Sequence, residues 1–348
     1  MAKTIRHEFD KYLTYDNLMK AHLLSRKGKN CKKEVILFNL KQEEYIRWLY
    51  EQLKNGTYKH GGYRVFYIQY PKRRKIEASR YMDRIVHRWI VDSFLNRYFV
   101  NQFINTSYAC IKNRGMHKAS MDVQKTMKHC KRIWQNYYIL KMDIRKYFQN
   151  IDKSILYNIL QRKIKDKKLL WLTKEIKEEK LVKLLEKIVY SNSGKKGLPI
   201  GNYTSQIFAN IYLNEIDQYI KHELKVKYYF RYMDDSILFV KTKKEAIELL
   251  EKIKNYLKIK LELELNDKTK IFKSNQGVNF CGYKINEYRL KLRDRGKKAI
   301  KQKVRYLKEE VQKGNMSSKE ASRFICGHLG YMKYANTRNL EEKLFYIN

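Results

Sequence analysis

Residues 230–239 read Phe230-Arg231-Tyr232-Met233-Asp234-Asp235-Ser236-Ile237-Leu238-Phe239. Apolar runs at 228–232 and 236–240 flank Met233-Asp234-Asp235, which predicts an antiparallel hairpin with an acidic tip. Two carboxylates pressed together at the end of apolar strands repel each other, so they share a proton or bind cations. A polar turn is the alternative, and an Asp-Asp pair alone does not separate the two readings. A third acid favours the cation reading. Residues 137–142 form another apolar run, and it stops at Asp143. If that strand neighbours the hairpin, Asp143 and Asp234 can bridge two ions about 3.5–4 Å apart, a spacing that serves phosphoryl transfer. Hard oxygen ligands suit Mg2+.

The pattern around the hairpin predicts its setting. After Asp143 comes a helix with Ile155, Leu156, Ile159, Leu160 and Ile164 on its apolar face. Residues 203–222 form another helical pattern, and residues 243–258 a third. The alternation Leu261-Glu262-Leu263-Glu264-Leu265 predicts a strand. Strand, helix, helix, strand, strand, helix, strand is the order of an antiparallel sheet backed by helices, an α+β layer. Upstream, the first 60 residues look helical. A strand-like run at 63–70 ends in the basic stretch Pro71-Lys72-Arg73-Arg74-Lys75, and a helix is predicted over 82–98. The tail from Arg293 is basic and helical.

Lys and Arg number 76 against 36 Asp and Glu, a formal net charge of +40 over 348 residues. Chains this basic bind polyanions, because neutralised phosphates release counterions. An AT-rich coding bias would raise Lys, but it would raise Glu as well. Many of the 29 Tyr residues belong to the core, and others suit stacking on bases. The five Cys residues, at 31, 110, 130, 281 and 326, lack the paired spacing of a zinc site and read as free, mostly buried thiols of a reducing cytoplasm. No stretch is apolar enough to span a membrane.

Taken in order, several segments resemble the motifs of reverse transcriptases. Residues 230–239 resemble their catalytic hairpin, and Lys141-Met142-Asp143-Ile144-Arg145-Lys146-Tyr147-Phe148 resembles their first catalytic motif. Phe280-Cys281-Gly282-Tyr283 resembles the primer-grip turn, and Leu265-Asn266-Asp267-Lys268-Thr269-Lys270 the lysine-bearing segment before it. Ser107-Tyr108-Ala109-Cys110 through Arg114-Gly115-Met116-His117 resembles a template-contacting segment of group II intron-like bacterial enzymes; Arg80 to Val86 resembles their fingers motif. One motif departs from the general pattern of Gln-Gly, three residues, then Ser-Pro. Here the run is Ile200-Gly201-Asn202-Tyr203-Thr204-Ser205-Gln206, with Ile for Gln and Gln206 for Pro. That variant resembles the reverse transcriptases of diversity-generating retroelements, which copy a template RNA with errors at adenines.

The resemblance implies a right-hand polymerase. Fingers occupy residues 1–130, a palm 131–290 with some fingers elements near 165–200, and a helical thumb 291–348. It implies Asp143, Asp234 and Asp235 as catalytic acids holding two Mg2+ ions, with Mn2+ as an alternative and the Ile144 carbonyl as a further ligand. Lys268 would protonate the leaving pyrophosphate. Arg74 and Lys72 would hold the triphosphate, and Phe148 would exclude a 2′-hydroxyl. Ile200, Gly201 and Gln206 would line the nucleotide pocket. Arg84, Arg114, Tyr232, Phe280 and Gly282 would touch primer or template. Implied partners are template RNA, the RNA/cDNA duplex, deoxynucleoside triphosphates and a small basic accessory protein. Rival readings are a retron, phage-defence or group II intron enzyme, or a maturase-like protein that only binds RNA. About 60 residues follow the 280–283 turn, room for a thumb and little else.

Overall fold

The computed structural model describes residues 8–70, 72–164 and 179–346. The segment 165–178, where some fingers elements are expected, lies outside the described residues, as does Pro71. The chain forms two compact units, each drawn from three stretches. The first takes Met1–Ile104, Ile144–Glu223 and Ile253–Glu264; the second takes Asn105–Asp143, Leu224–Lys252 and Leu265–Asn348.

The first unit is mainly helical. Its opening helices Tyr15–Arg26, Lys33–Leu40 and Gln42–Lys54 match the expected helical start. Thr14 caps the first of these, its Oγ1 accepting from the Asn17 amide at 3.2 Å. Two strands follow, β1 (Tyr63–Ile68) and β2 (Arg74–Ser79), paired antiparallel from Tyr63↔Ser79 to Ile68↔Arg74. The helix expected over 82–98 is Tyr81–Ile90, continued by a wide turn at Val91–Leu95 and a last turn at Asn96–Tyr98. It buries Ile85, Val86, Trp89 and Ile90. The helix Tyr203–Gln218 is buried on nearly every side, so it is the spine of this unit.

One predicted strand is absent. The alternation at 261–265 forms no strand: the helix Lys243–Leu261 runs through the first of those residues, and of the five Leu265 alone takes a bridge position. Glu262 then takes a left-handed conformation (φ 47°), and the Leu263 amide bonds back to the Leu257 carbonyl at 3.0 Å. Leu261 and Leu263 are buried. Glu262 and Glu264 face out to Lys196 and Arg145. An in-out alternation is thus satisfied by a helix end, and the next strand begins later.

The second unit holds a four-stranded antiparallel sheet in the order β4-β5-β3-β6. Its strands are β3 (Tyr138–Asp143), β4 (Tyr228–Tyr232), β5 (Asp235–Val240) and β6 (Lys270–Lys273). The helix Met116–Trp134 lays Ala119, Val123, Met127 and Cys130 against a core shared with Ile139 and Phe239. Those four residues recur at helical spacing, which is why this stretch forms a packed amphipathic helix. Fully burying an Ile or Phe in such a core contributes about 1.5–3 kcal/mol each. β4 is an edge strand, and residues 106–108 cover part of it: Arg231 N bonds to Thr106 O at 2.9 Å and Tyr108 N to Arg231 O at 3.1 Å. A small sheet follows, β7 (Val278–Phe280), β8 (Tyr283–Ile285) and β9 (Leu290–Leu292). The tail forms the helices Asp294–Gln312 and Ser318–Met332, the latter opened by a Ser317–Glu320 capping box.

The expectation of mostly buried thiols is wrong. Only Cys130 is buried, Cys281 is half-buried, and Cys31, Cys110 and Cys326 are exposed. Those three lie on turns or on an outward helix face, where apolar periodicity does not pull them inward. Among the described residues, no helix is long and apolar enough to cross a membrane.

Candidate active site

The acids come together because of strand register. Asp143 is the last residue of β3 and Asp235 the first of β5, and the two are direct partners. Side chains of register partners project from the same face of a sheet. Lys141, two residues before Asp143, shares that face. Its Nζ lies 3.0 Å from Asp235 Oδ2 and donates to the Asn279 carbonyl at 2.6 Å. Asp234 sits in the two-residue turn between β4 and β5, beside Met233 in a left-handed conformation (φ 53°). Glycine is the common residue in that conformation, so the turn stores local strain where it aims an acid. Arg231 relieves part of it: its guanidinium is buried and donates to the Met233 carbonyl at 3.1 Å. The Asp143 carbonyl accepts from the Asn266 amide at 2.6 Å, which fixes the end of β3.

Burial pushes the Asp235 carboxyl up to about 6; Lys141 pulls it back, and the charges of Asp143 and Asp234 add to the rise. Asp235 Oδ1 is buried and without a hydrogen-bond partner among the described residues. An orphaned carboxylate oxygen next to two further acids lacks positive charge, and that lack fits a divalent cation. The three carboxylates do not form a finished cage. Among the described residues, no group of three or more His, Cys, Asp or Glu is placed to hold a metal by itself. Asp235 Oδ2 is engaged by Lys141. An ion held here takes its remaining ligands from substrate and water, as Mg2+ commonly does.

The other expected residues divide between the units. In the second unit, Lys268 is exposed in a turn, its amide bonded to Asn266 Oδ1 at 3.1 Å. Tyr232 is half-buried at the end of β4. Phe280 is fully buried in the core, so its ring offers no surface to a ligand. Gly282 turns the chain between β7 and β8 with φ 85°, and a Cβ there would collide with the Tyr331 hydroxyl. Tyr331 OH donates to the Gly282 carbonyl at 2.6 Å. Arg114 donates to the Ser107 carbonyl at 2.8 Å.

In the first unit, Lys72 and Arg74 are exposed on the β1–β2 ribbon. Arg84 is engaged within the fold: its Nε donates to the Ser79 carbonyl at 2.8 Å and its Nη1 to Glu34 at 2.7 Å. Ile144 is buried, Phe148 and Ile200 are half-buried, and Gly201 and Gln206 are exposed. Backbone bonds join Phe148 and Ile200 to one network. Leu198 N donates to Phe148 O at 2.8 Å, and Glu77 N of β2 donates to Ile200 O at 3.1 Å. The sequence reading assigned no role to Lys141, Arg231 or Asn202. For the first two a signal exists: a cation inside an apolar strand must be paired once buried.

Comparison with known proteins agrees with this geometry. The family model described as reverse transcriptase (RNA-dependent DNA polymerase) matches residues 59–285. Protein YkfC of Escherichia coli K12 is 26% identical over 278 residues, which cover 69% of this chain and 71% of that protein. The group II intron-encoded protein LtrA of Lactococcus lactis subsp. cremoris is 26% identical over 310 residues, 70% of this chain and 50% of LtrA. The chain thus matches only half the length of LtrA. Among solved structures, apo telomerase from Candida tropicalis aligns with TM-score 0.51 at 13% identity, covering 67% of this chain and 49% of that one. That likeness speaks for the α+β polymerase fold alone. With the family match spanning well over half the chain and the acids meeting where strand register puts them, this chain belongs to the reverse transcriptase family.

Proposed function

We propose that this chain is an RNA-directed DNA polymerase that copies a template RNA into cDNA, with errors concentrated at template adenines as in diversity-generating retroelements. The observation that carries the polymerase reading is the register pairing of Asp143 with Asp235, with Asp234 in the adjoining turn. The three acids would hold two Mg2+ ions, or Mn2+, with the Ile144 carbonyl as a further ligand. When bound, such ions neutralise the reacting phosphate and the attacking 3′-oxygen. Lys141 holds Asp235 oriented, and Arg231 holds the turn that carries Asp234. Arg74 and Lys72 grip the triphosphate, and Lys268 gives a proton to pyrophosphate. The Phe148 ring takes the space of a 2′-hydroxyl and so selects deoxynucleotides. Arg84, Arg114, Tyr232 and Gly282 support primer and template, and the buried Phe280 anchors the Gly282 turn in the core. Fingers at 1–130, palm at 131–290 and thumb at 291–348 are the matching division of labour. The protein works in the cytoplasm with a small basic accessory protein.

The error-prone part rests on Ile200 and Gln206, which replace the usual Gln and Pro of the motif. An apolar side chain at 200 removes one polar constraint on the incoming nucleotide. Loss of about 1–3 kcal/mol of discrimination raises errors by roughly 10–200-fold. A loosened pocket alone raises errors opposite every base, so the error spectrum is the informative measurement. Sequencing cDNA made on a base-balanced RNA template should show misincorporation concentrated at adenines, and Ile200→Gln should lower it. A low, uniform spectrum would move the chain to a retron, defence or group II intron type.

A further inference from the structure

Every described side chain from Arg64 to Lys75 is exposed, so the β1–β2 ribbon has no packed core along its outer length. Its base is different: Ser79 is 1% exposed. Three consecutive residues hold that base. The Ile200 carbonyl accepts from Glu77 N. Gly201 (φ 128°) lets the chain pass close to β2, since a Cβ there would come within 3.3 Å of Ile76 Cγ2. Asn202 does the rest with its side-chain amide. Its Oδ1 accepts from Ser79 Oγ at 2.6 Å and from Ser79 N at 3.4 Å. Its Nδ2 donates to Tyr63 OH at 3.4 Å, and that hydroxyl pairs with Ser191 Oγ at 2.5 Å.

Tyr63 and Ser79 are register partners, the innermost rung of the ribbon. One buried amide therefore ties both strands at the same rung. Asn202 is also the N-cap residue of the helix Tyr203–Gln218, with extended dihedrals (φ −92°, ψ 143°), yet its side chain makes no cap bond. An Asn at that position ordinarily accepts from the first turn of its own helix. Here that bond is given up for the ribbon. A polar side chain this buried has its partners specified by the fold.

We propose that Asn202 is a positioning residue: it sets the pitch of the β1–β2 ribbon and thereby the place at which Arg74 and Lys72 meet the triphosphate of the incoming nucleotide. This rests on the polymerase reading above. A small rotation at the base, where residues 200–202 meet Ile76, Glu77 and Ser79, is carried outward along the ribbon, whose described side chains from Arg64 to Lys75 are all exposed.

The test compares Asn202→Ala, Ser79→Ala and Ser79→Thr in the full chain, by primer extension on an RNA template and by hydrogen exchange. Asn202→Ala should raise the KM for deoxynucleotides about tenfold, the equivalent of one lost hydrogen bond to a placed group. kcat should stay within about threefold and primer–template affinity should not move. Exchange over 63–79 should quicken, while exchange over 228–240 stays at the wild-type rate. Ser79→Ala should move in the same direction, add little to Asn202→Ala, and be rescued by Ser79→Thr, which keeps the hydroxyl. Lower thermal stability with a wild-type KM would make Asn202 a merely structural residue and overturn the proposal. A wild-type chain that makes no DNA would remove the polymerase reading and this proposal with it. An active wild type with unchanged KM and unchanged ribbon exchange in Asn202→Ala would overturn this proposal alone.

Discussion

The hairpins β1–β2 and β4–β5 share a secondary-structure plan and little else. β4 and β5 bury all their residues but Tyr228, Tyr232 and Asp235, and β5 is paired on both sides. From Arg64 onward β1 exposes every side chain, and the ribbon stands as a two-stranded sheet of its own. One tip carries Asp234 in a strained two-residue turn. The other carries Lys72, Arg73 and Arg74. An isolated two-stranded hairpin is marginal in water. The acidic hairpin therefore owes its geometry to the core beneath it, and the basic ribbon owes its geometry to the contacts of Ile76, Glu77 and Ser79 with residues 200–202 at its base. Under the proposed function, groups that need fixed placement stand on the packed element, and groups that follow a substrate stand on the more exposed one.

The largest way to break this contrast is at the acidic tip. Asp234→Asn should lower DNA synthesis by about a thousandfold or more, since an acid that acts in the reacting complex is lost. RNA binding should stay within about threefold, because affinity comes from many Lys and Arg contacts. Primer extension beside filter binding checks both, and near-normal synthesis would mean that another acid does the work.

Arg231→Met is the next step down. It removes the buried guanidinium that holds the Met233 carbonyl, so kcat should fall about 100-fold and the melting temperature should drop by several degrees, as a broken buried network does. Arg74→Ala on the ribbon should do the reverse, raising the nucleotide KM about tenfold while leaving the melting point nearly unchanged. Calorimetry and steady-state kinetics on the two variants would sharpen the comparison. Equal thermal losses would erase it.

An effect of another kind is acid sensitivity beneath the ribbon. His87 is buried, and that burial, with the nearby His60, lowers its pKa to about 3. Burial lowers His60 as well, and its ring packs on Tyr63 at the start of β1. A histidine whose folded pKa lies below its unfolded value resists protonation only while folded. Its full contribution to stability is therefore present above about pH 6.5 and is lost progressively as pH falls towards about 3. At pH 5 the cost through His87 is about 2 kcal/mol. Hydrogen exchange at pH 7 and pH 5, corrected for intrinsic rates, should show residues 63–90 loosening. Identical protection at both values would mean that both rings take up a proton as readily in the folded chain as in the unfolded one.

The acidic hairpin was legible because it breaks a rule. Apolar strands that end in adjacent carboxylates carry a cost that a cation site explains better than a polar turn, and Asp143 repeats the pattern. The helical start, the 203–218 helix and the basic tail were legible from apolar spacing. Local periodicity misled at 261–265, where alternation is satisfied by a helix end with Leu261 and Leu263 turned inward. It was silent on Asn202, whose partners Ser79 and Tyr63 lie 123 and 139 residues away. It was equally silent on the Lys141–Asp235 contact, 94 residues apart. Single-sequence patterns report which face of an element is apolar. They do not report which distant polar atom a buried amide will meet.

The exposed ribbon has a colloidal side. Val65, Phe66, Tyr67 and Ile68 are each more than two-fifths exposed, on a strand with an open hydrogen-bonding edge. Such a stretch is a template for pairing with another chain. Arg64 before it and Lys72 to Lys75 after it act as gatekeepers, since like charges keep two ribbons apart. That repulsion reaches only about 8 Å at 0.15 M salt and less above it. The ionic conditions that strip nucleic acid from so basic a protein therefore also weaken the guard on this exposed strand.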